Sequence, residues 1–374
     1  MRKVKKQMKI NEIIIYIMVL FMVIGAIDRI IGNKFGLGEK FEEGILTAGT
    51  LALAMLGIIS LAPFLATLLK PVIIPLFRLL GADPAMFAGS ILANDMGGAS
   101  LAKELALTKE AGMFGGLIVG SMLGTTIVFH IPVALGIIDK EDQSFLAKGV
   151  LAGMITIPFG SLASGIVAGF EISMIIINLI PIIIFSVTIS LCLAFFENIT
   201  IKVFSYFGKF VIIIITIGLS AAIIEKLTGL VVIPGMKPIE EGILIVGDII
   251  IVLAGAFPLV AVITKLFNKP LMKLGNILGV NNASAAGMVA CLANSVPMFQ
   301  MIKDMDDRGK IINFAFAVPA AFVFGDHIGF TAGFNSSMLF PMIVGKLVGG
   351  LFAIIISMAI TKNMNVEEKN NCRL

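Results

Sequence analysis

The chain has no tryptophan, two tyrosines, two histidines and three cysteines in 374 residues. Each scarcity closes a class of function. Cys192, Cys291 and Cys372 are scattered and form no CxxC pair, so the pattern points to neither a disulfide framework nor a zinc site. His130 and His327 are too few for an imidazole metal cluster, and no metal or other cofactor is expected. With only Tyr16 and Tyr206 and no tryptophan, a rich aromatic cage around a cationic ligand is excluded. Charge is scarce too. Only 14% of residues are charged while 58% are hydrophobic, against about 25% charged in an ordinary soluble domain. No basic stripe interleaved with aromatics is present, so nucleic acid is not an expected partner.

What is abundant is apolar surface, more than one soluble core of this size could hide. The surplus must face lipid. A membrane helix needs about 20 mostly apolar residues. About eleven candidate segments meet or approach that length, near 10–31, 44–69, 82–106, 111–138, 145–169, 172–196, 203–227, 242–266, 283–303, 309–334 and 337–361. A short piece over 71–80 is read as interfacial, and the polar tail over 362–374 as frayed. Alternation of period two is absent, so the expectation is an all-α polytopic membrane protein with about 10–12 transmembrane segments. The basic run Met1-Arg2-Lys3-Val4-Lys5-Lys6 before the first segment favours a cytoplasmic N-terminus. The apolar stretch that follows is too long for a cleaved signal peptide.

Glycine is plentiful, at 39 residues. Gly112, Gly116, Gly120 and Gly124 recur every four residues, as do Gly149, Gly153, Ser161, Gly165 and Gly169 with one gap, and Ala317, Ala321, Gly325, Gly329 and Gly333. Such ladders let helix backbones touch. Contacts within one chain are the plainer reading, and a homo-oligomer face or pore wall the alternative.

The chain also repeats itself. Glu42-Glu43-Gly44-Ile45-Leu46 recurs 198 residues later as Glu240-Glu241-Gly242-Ile243-Leu244, and Leu80-Gly81-Ala82-Asp83 as Leu278-Gly279-Val280-Asn281. Leu92-Ala93-Asn94-Asp95 matches Leu292-Ala293-Asn294-Ser295. The charges and asparagines carry this signal, since any two apolar helices look alike. The expected organisation is two homologous halves, 1–196 and 197–361, with interrupted helices. If 82–106 spans fully, the halves are parallel; if it dips in and returns, they are inverted. Matched interrupted segments point to a solute site near mid-membrane.

The candidate site residues follow from the interruptions. Asp95 sits beside Gly97 and Gly98 in a mid-segment polar island, where an acid is costly unless it faces a bundle interior. Asp326 and His327 form a second island, in the place that the repeat gives Thr125 and Thr126. Asn94, Asn294, Ser295 and Thr126 complete the expected lining. The structural alternatives are satisfied interhelical hydrogen bonds or helix caps. His130, Asp28 and the Glu42–Glu43 and Glu240–Glu241 pairs are read as structural, and Asp248 ranks below the others.

These stretches also resemble a known family. Ile27-Asp28, Phe35-Gly36-Leu37-Gly38, Phe41-Glu42-Glu43-Gly44, Gly81-Ala82-Asp83-Pro84-Ala85-Met86-Phe87, Leu92-Ala93-Asn94-Asp95-Met96-Gly97-Gly98 and Phe324-Gly325-Asp326-His327 are similar to the bacterial ethanolamine-utilization permeases, the EutH family. The likeness covers nearly the whole chain. One departure is Ala99, where members often carry an aromatic. The resemblance implies import of ethanolamine for breakdown by a cobalamin-dependent lyase inside a microcompartment. The chemistry suits it: an alkyl-ammonium needs a carboxylate such as Asp95 or Asp326, and its hydroxyl an amide or hydroxyl partner. A facilitator is favoured over an ion-coupled carrier. An intramembrane enzyme lacks a nucleophile–base or metal constellation.

Overall fold

The structure, a computed structural model, describes residues 2–362. The expected polar tail lies outside the described residues except for Lys362. Among the described residues every regular element is helical, and eight helical stretches are long and apolar enough to cross a membrane. The protein is a multi-pass α-helical membrane protein. On α10 (Ile172–Phe195), Ile176, Ile180, Ile184, Val187 and Leu191 are all exposed. A water-facing helix would not keep such a stripe, whereas lipid tails accept it.

The first helix, α1 (Arg2–Ile30), leads through a short turn into α2 (Leu37–Leu46) and α3 (Ala48–Leu79). Asp28 organises that turn. Its carboxylate accepts from the amides of Phe35 (3.0 Å), Leu37 (2.8 Å) and Gly38 (2.9 Å), which supplies the donors at the start of α2 with an acceptor. Asp28 is thus structural, as expected, and acts as a cap. The stretch over 71–80 is not a separate interfacial piece. It is the end of α3, which continues through Pro63, Pro71 and Pro75. A proline removes one helical hydrogen bond and bends the helix without having to end it, and Ile73 and Phe77 are buried beyond it.

Two of the expected segments do not cross. The stretch over 82–106 forms α4 (Ala85–Ile91), a break, and α5 (Ala99–Leu105). Its two ends are tied together at Asp83, whose carboxylate accepts from the amides of Ala85 (2.9 Å), Leu107 (3.0 Å) and Thr108 (3.2 Å). The segment dips in and returns. The stretch over 283–303 repeats the design with α13 (Asn282–Ala293) and α14 (Ser295–Gln300). There Asn281 Nδ2 donates to the Asp304 carbonyl (2.9 Å), and the Asn281 amide donates to Asp306 Oδ1 (3.1 Å).

The hairpins enter from opposite ends of the bundle. Glu104, near the end of the first, pairs at 2.8 Å with Lys237, just before the 40-residue α12 (Ile239–Leu278). Asn281, at the base of the second, follows the other end of α12. A helix of that length spans about 60 Å.

The remaining crossings hold these hairpins. The path from Lys109 to Ile137 widens into π-helical turns over Phe114–Gly124 and Thr126–His130. Its glycine ladder lies against the first hairpin. A Cβ at Gly124 would stand 1.9 Å from the Leu92 carbonyl oxygen, and one at Gly116 2.8 Å from Ala99 Cα. Gly149 and Gly153 press α8 (Gln143–Met154) against α15 (Asp307–Ala320). All three ladders make contacts within the chain. The expected crossing over 309–334 is interrupted between α15 and α16 (Asp326–Asn335). The chain then turns back into α17 (Leu339–Ile360), a turn held by Asn11, which bonds to Ser337 and Phe340.

Candidate functional site

The breaks in the two hairpins and in the α15–α16 crossing come together. Between α4 and α5, Leu92 and Ala93 are extended and Gly97 takes φ +97°. A side chain is excluded at Gly97 twice over. The left-handed backbone strains it, and its Cβ would lie 2.2 Å from Ile58 Cγ1. The opened turn turns Asp95 into the interior instead of along a helix face.

Between α15 and α16, Phe322 has φ +62°, an uncommon conformation for an aromatic. It is held there by the second hairpin: its amide donates to the Cys291 carbonyl (3.1 Å), and that of Phe324 to the Leu292 carbonyl (2.9 Å). Gly325 lies under the hairpin tip, where a Cβ would meet the Ala293 carbonyl oxygen at 1.9 Å. The interrupted crossing and the hairpin tip are one joined unit, and it places Asp326 and His327 on the same cavity as Asp95.

The space between is a cavity of about 220 Å³, lined by Asp95, Asn294, Asp326, His327, Thr125 and Thr50, with Ala93, Met96, Phe129 and Phe322 among its apolar walls. Among the described residues no basic side chain lies within 4 Å of either Asp95 or Asp326. Two acids thus face one small chamber without a direct cationic partner. A second, larger chamber of about 350 Å³ runs from Asn294 and Asp326 past Phe257 and Thr264 to Lys40, Glu43 and Lys265. Asn294 and Asp326 line both chambers, so they stand where the vestibule meets the inner cavity.

Four of the seven expected site residues, Asp95, Asn294, Asp326 and His327, line the inner cavity. The other three stand behind it. Asn94 is 1% exposed and neither polar atom of its side chain is hydrogen-bonded to protein; the Ser295 hydroxyl is likewise buried and unpartnered. Thr126 points back into its own helix, donating to the Met122 carbonyl at 2.8 Å. Its neighbour Thr125 lines the cavity in its place. The winding there is π-helical, wider than an α-helix, and the repeat that points to both threonines does not tell which of them faces inward. His130 is packed as expected, stacked on Phe322 with ring centroids 5.8 Å apart.

Lys346 was not singled out by the sequence reading. It is 1% exposed, midway along α17, and its ammonium donates to the Ser121 carbonyl in the π-helical stretch. The signal was present: it is the single charged residue in the 22 residues of α17.

A group of three or more His, Cys, Asp or Glu able to hold a metal ion is absent among the described residues. The arrangement suits instead a small organic cation: two acids for an ammonium, an amide and hydroxyl for a polar tail, and phenylalanine faces beside them.

Comparison with known proteins gives the family of the chain. Residues 10–360 match the model of the family described as "Ethanolamine utilisation protein, EutH". The chain is 64% identical to the probable ethanolamine permease EutH of Listeria monocytogenes, covering 97% of each protein. It is 50% identical to the probable ethanolamine permease EutH of Salmonella typhimurium, over 94% of this chain and 95% of the relative. It is also 48% identical to the uncharacterized protein YxeR of Bacillus subtilis, over 92% and 94%. No solved structure matches the chain. The glycine-broken hairpin bearing Asp95 and the Gly-Asp-His interruption opposite it are thus features of a chain that belongs to the EutH family of ethanolamine utilisation proteins.

Proposed function

We propose that this protein imports ethanolamine, as the ethanolammonium ion, across the bacterial inner membrane as a facilitator. The observation that carries the reading is the cavity shared by Asp95 and Asp326, each without a direct cationic partner among the described residues. A buried acid without a partner is expensive. A bound ammonium offsets that cost, while Asn294, Thr125 or His327 takes the hydroxyl. The names of the relatives support the same substrate. Consumption of ethanolamine inside the cell would keep the flow inward.

The halves 1–196 and 197–361 are proposed as an inverted repeat, with one hairpin and one opened crossing each. The support is the pair of base clasps at Asp83 and Asn281, in hairpins that enter from opposite ends. With the basic N-terminus cytoplasmic, the vestibule at Lys40 and Lys265 faces outside, and the ligand reaches the inner cavity past Asn294 and Asp326.

The test is uptake of labelled ethanolamine into proteoliposomes holding the purified protein. Saturable uptake that follows the substrate gradient is the expected result. Uptake no faster than through protein-free vesicles would overturn the proposal. A second reading, coupling to an ion, is favoured by one observation: two acids in one chamber carry one negative charge more than a single ammonium balances.

A further inference from the structure

Lys346 bears on that imbalance. Its ammonium is buried in the bundle and donates to the carbonyl of Ser121. Ser121 belongs to the π-helical stretch of the crossing, and the adjacent Gly120 presses on the first hairpin: a Cβ there would stand 3.2 Å from the Asn94 amide nitrogen. The lysine therefore sits directly behind the tip that carries Asp95, within electrostatic reach of it though not in contact. The ionisable groups around it are Asp95, His130, Cys291 and His327, and Asp326 lies within reach of Asp95 in turn. A backbone carbonyl has two lone pairs, so even within a helix it can accept from a cation. Here the covalently attached ammonium takes that carbonyl.

We propose that Lys346 is a positioning residue and built-in countercation that fixes the ion stoichiometry of the site, so that one organic ammonium binds with no accompanying metal cation or proton. When Asp95 and Asp326 are ionised they bring two negative charges to the site, and an ammonium at Lys346 offsets one of them. The remaining single negative charge is balanced by one ammonium ligand. Without Lys346 the site would need two cations, and the Ser121 carbonyl would be free to help hold the second. This inference rests on the function proposed above and names the residue that decides its energetics.

The experiment compares wild type, Lys346→Gln, Lys346→Arg and the double variant Asp95→Asn/Lys346→Gln. Each is reconstituted in proteoliposomes with a fixed ethanolamine gradient and an imposed inward sodium or proton gradient. Ethanolamine-induced thermal stabilisation in detergent, with and without sodium, gives a second readout. Wild type and Lys346→Arg should ignore the imposed gradients. Lys346→Gln should become dependent on one of them by about tenfold, the effect of roughly 1.4 kcal/mol. The double variant, which removes a charge of each sign, should lose that dependence. A well-inserted Lys346→Gln that stays indifferent to both ions overturns the inference. Wild-type uptake driven by sodium or protons also overturns it, while leaving ethanolamine as the substrate. If Lys346→Gln does not fold, the double variant decides, and ion dependence in it overturns the inference. A wild type that carries no ethanolamine under any gradient ends both readings.

Discussion

The two re-entrant hairpins share similar stretches of sequence and are held differently. Both carry an Ala-Asn pair at the tip, 200 residues apart, and a side-chain clasp at the base, 198 residues apart. The first is wedged into a glycine-lined groove. Asn94 at its tip is 1% exposed, and backbone meets backbone along its length. The second meets side chains at Gly287 on its first arm, and only its end, at Cys291, Leu292 and Ala293, meets backbone. Asn294 at its tip is exposed to the vestibule and caps α14, accepting from the Val296 amide at 2.9 Å. One asparagine is sealed and without hydrogen-bond partners; its counterpart is open and satisfied. If the halves are inverted copies, one structure displays both conditions of a gate: the first hairpin closed on its side, the second open on its own.

The largest expected effect comes from the acids, one for each hairpin. Asp95→Asn removes the charge at the first tip and Asp326→Asn the charge beside the second. Each should lower uptake by about tenfold to a hundredfold, since a hydrogen bond to a charged group is worth about 1.5–3 kcal/mol. The double variant should fall to the rate of protein-free vesicles. The Asp95→Asn loss should be greatest at low pH, where ethanolammonium prevails and passive diffusion of the neutral amine fails. Wild-type uptake by either single variant, at equal abundance in the membrane, would remove that acid from the site.

Packing gives the next contrast, at the matched pair Gly89 and Gly287. A Cβ at Gly89 would meet the Gly115 carbonyl oxygen at 1.9 Å. One at Gly287 would meet Met305 Cε at 2.4 Å and Asn313 Oδ1 at 2.7 Å, both far ends of side chains. Backbone cannot step aside as a methionine can. Gly89→Ala should therefore cost about 3 kcal/mol, at the upper end for overpacking, and Gly287→Ala about 1 kcal/mol or less. Thermal unfolding in detergent would show it, with Gly136→Ala as a control, since nothing lies within 4 Å of a Cβ there. Equal shifts at Gly89 and Gly287 would mean that the hairpins are gripped alike.

The same contrast marks how far the sequence could be read. The apolar runs and the scarcity of charge were enough for a polytopic helical membrane protein. The polar islands led to Asp95, Asn294, Asp326 and His327, because an acid or amide in an apolar run has few places to go. What spacing could not say was that 82–106 and 283–303 turn back, because a hairpin and a crossing have the same composition. The decisive contact, Asp83 to Leu107 and Thr108, is long-range and made by an acid near a helix start, which reads as an ordinary cap. The repeat points to Thr125 and Thr126 together, and which of the two faces the cavity is set by π-helical winding that the repeat does not reveal. Lys346 is hard to read from sequence for another reason. Long apolar helices often hide a lysine that snorkels to the surface, and only its burial shows that this one does not.

Access gives a third test. In a background with the native cysteines replaced, Asn294→Cys should react with a membrane-impermeant thiol reagent at least about tenfold faster than Asn94→Cys. Thiol reactivity follows exposure at comparable thiolate content. Added ethanolamine should slow the Asn294→Cys reaction. If conditions exist in which Asn94→Cys becomes reactive from the opposite side while Asn294→Cys is protected, the two hairpins exchange roles. Equal reactivity of both, from one side and in every condition, would leave the first hairpin a fixed wall.

The smallest effect belongs to the clasps. Asp83 is buried, and its carboxylate accepts three amides at once, from both ends of its hairpin. Asn281 is exposed and shares its clasp with Asp306, which also accepts from the Ser284 hydroxyl at 2.8 Å. Removing a charged acceptor leaves buried donors unmatched, whereas water can replace an exposed amide. Asp83→Ala should thus destabilise by about 2 kcal/mol and Asn281→Ala by about 1 kcal/mol or less. If the second hairpin is the one that opens in this state, Asn281→Ala should in addition raise the reactivity of Asn294→Cys, because a looser base frees the tip. Asp83→Ala should leave Asn94→Cys unreactive, since the glycine groove and not the clasp seals it. A reactive Asn94→Cys in the Asp83→Ala background would shift the seal of the first hairpin from its packing to its base.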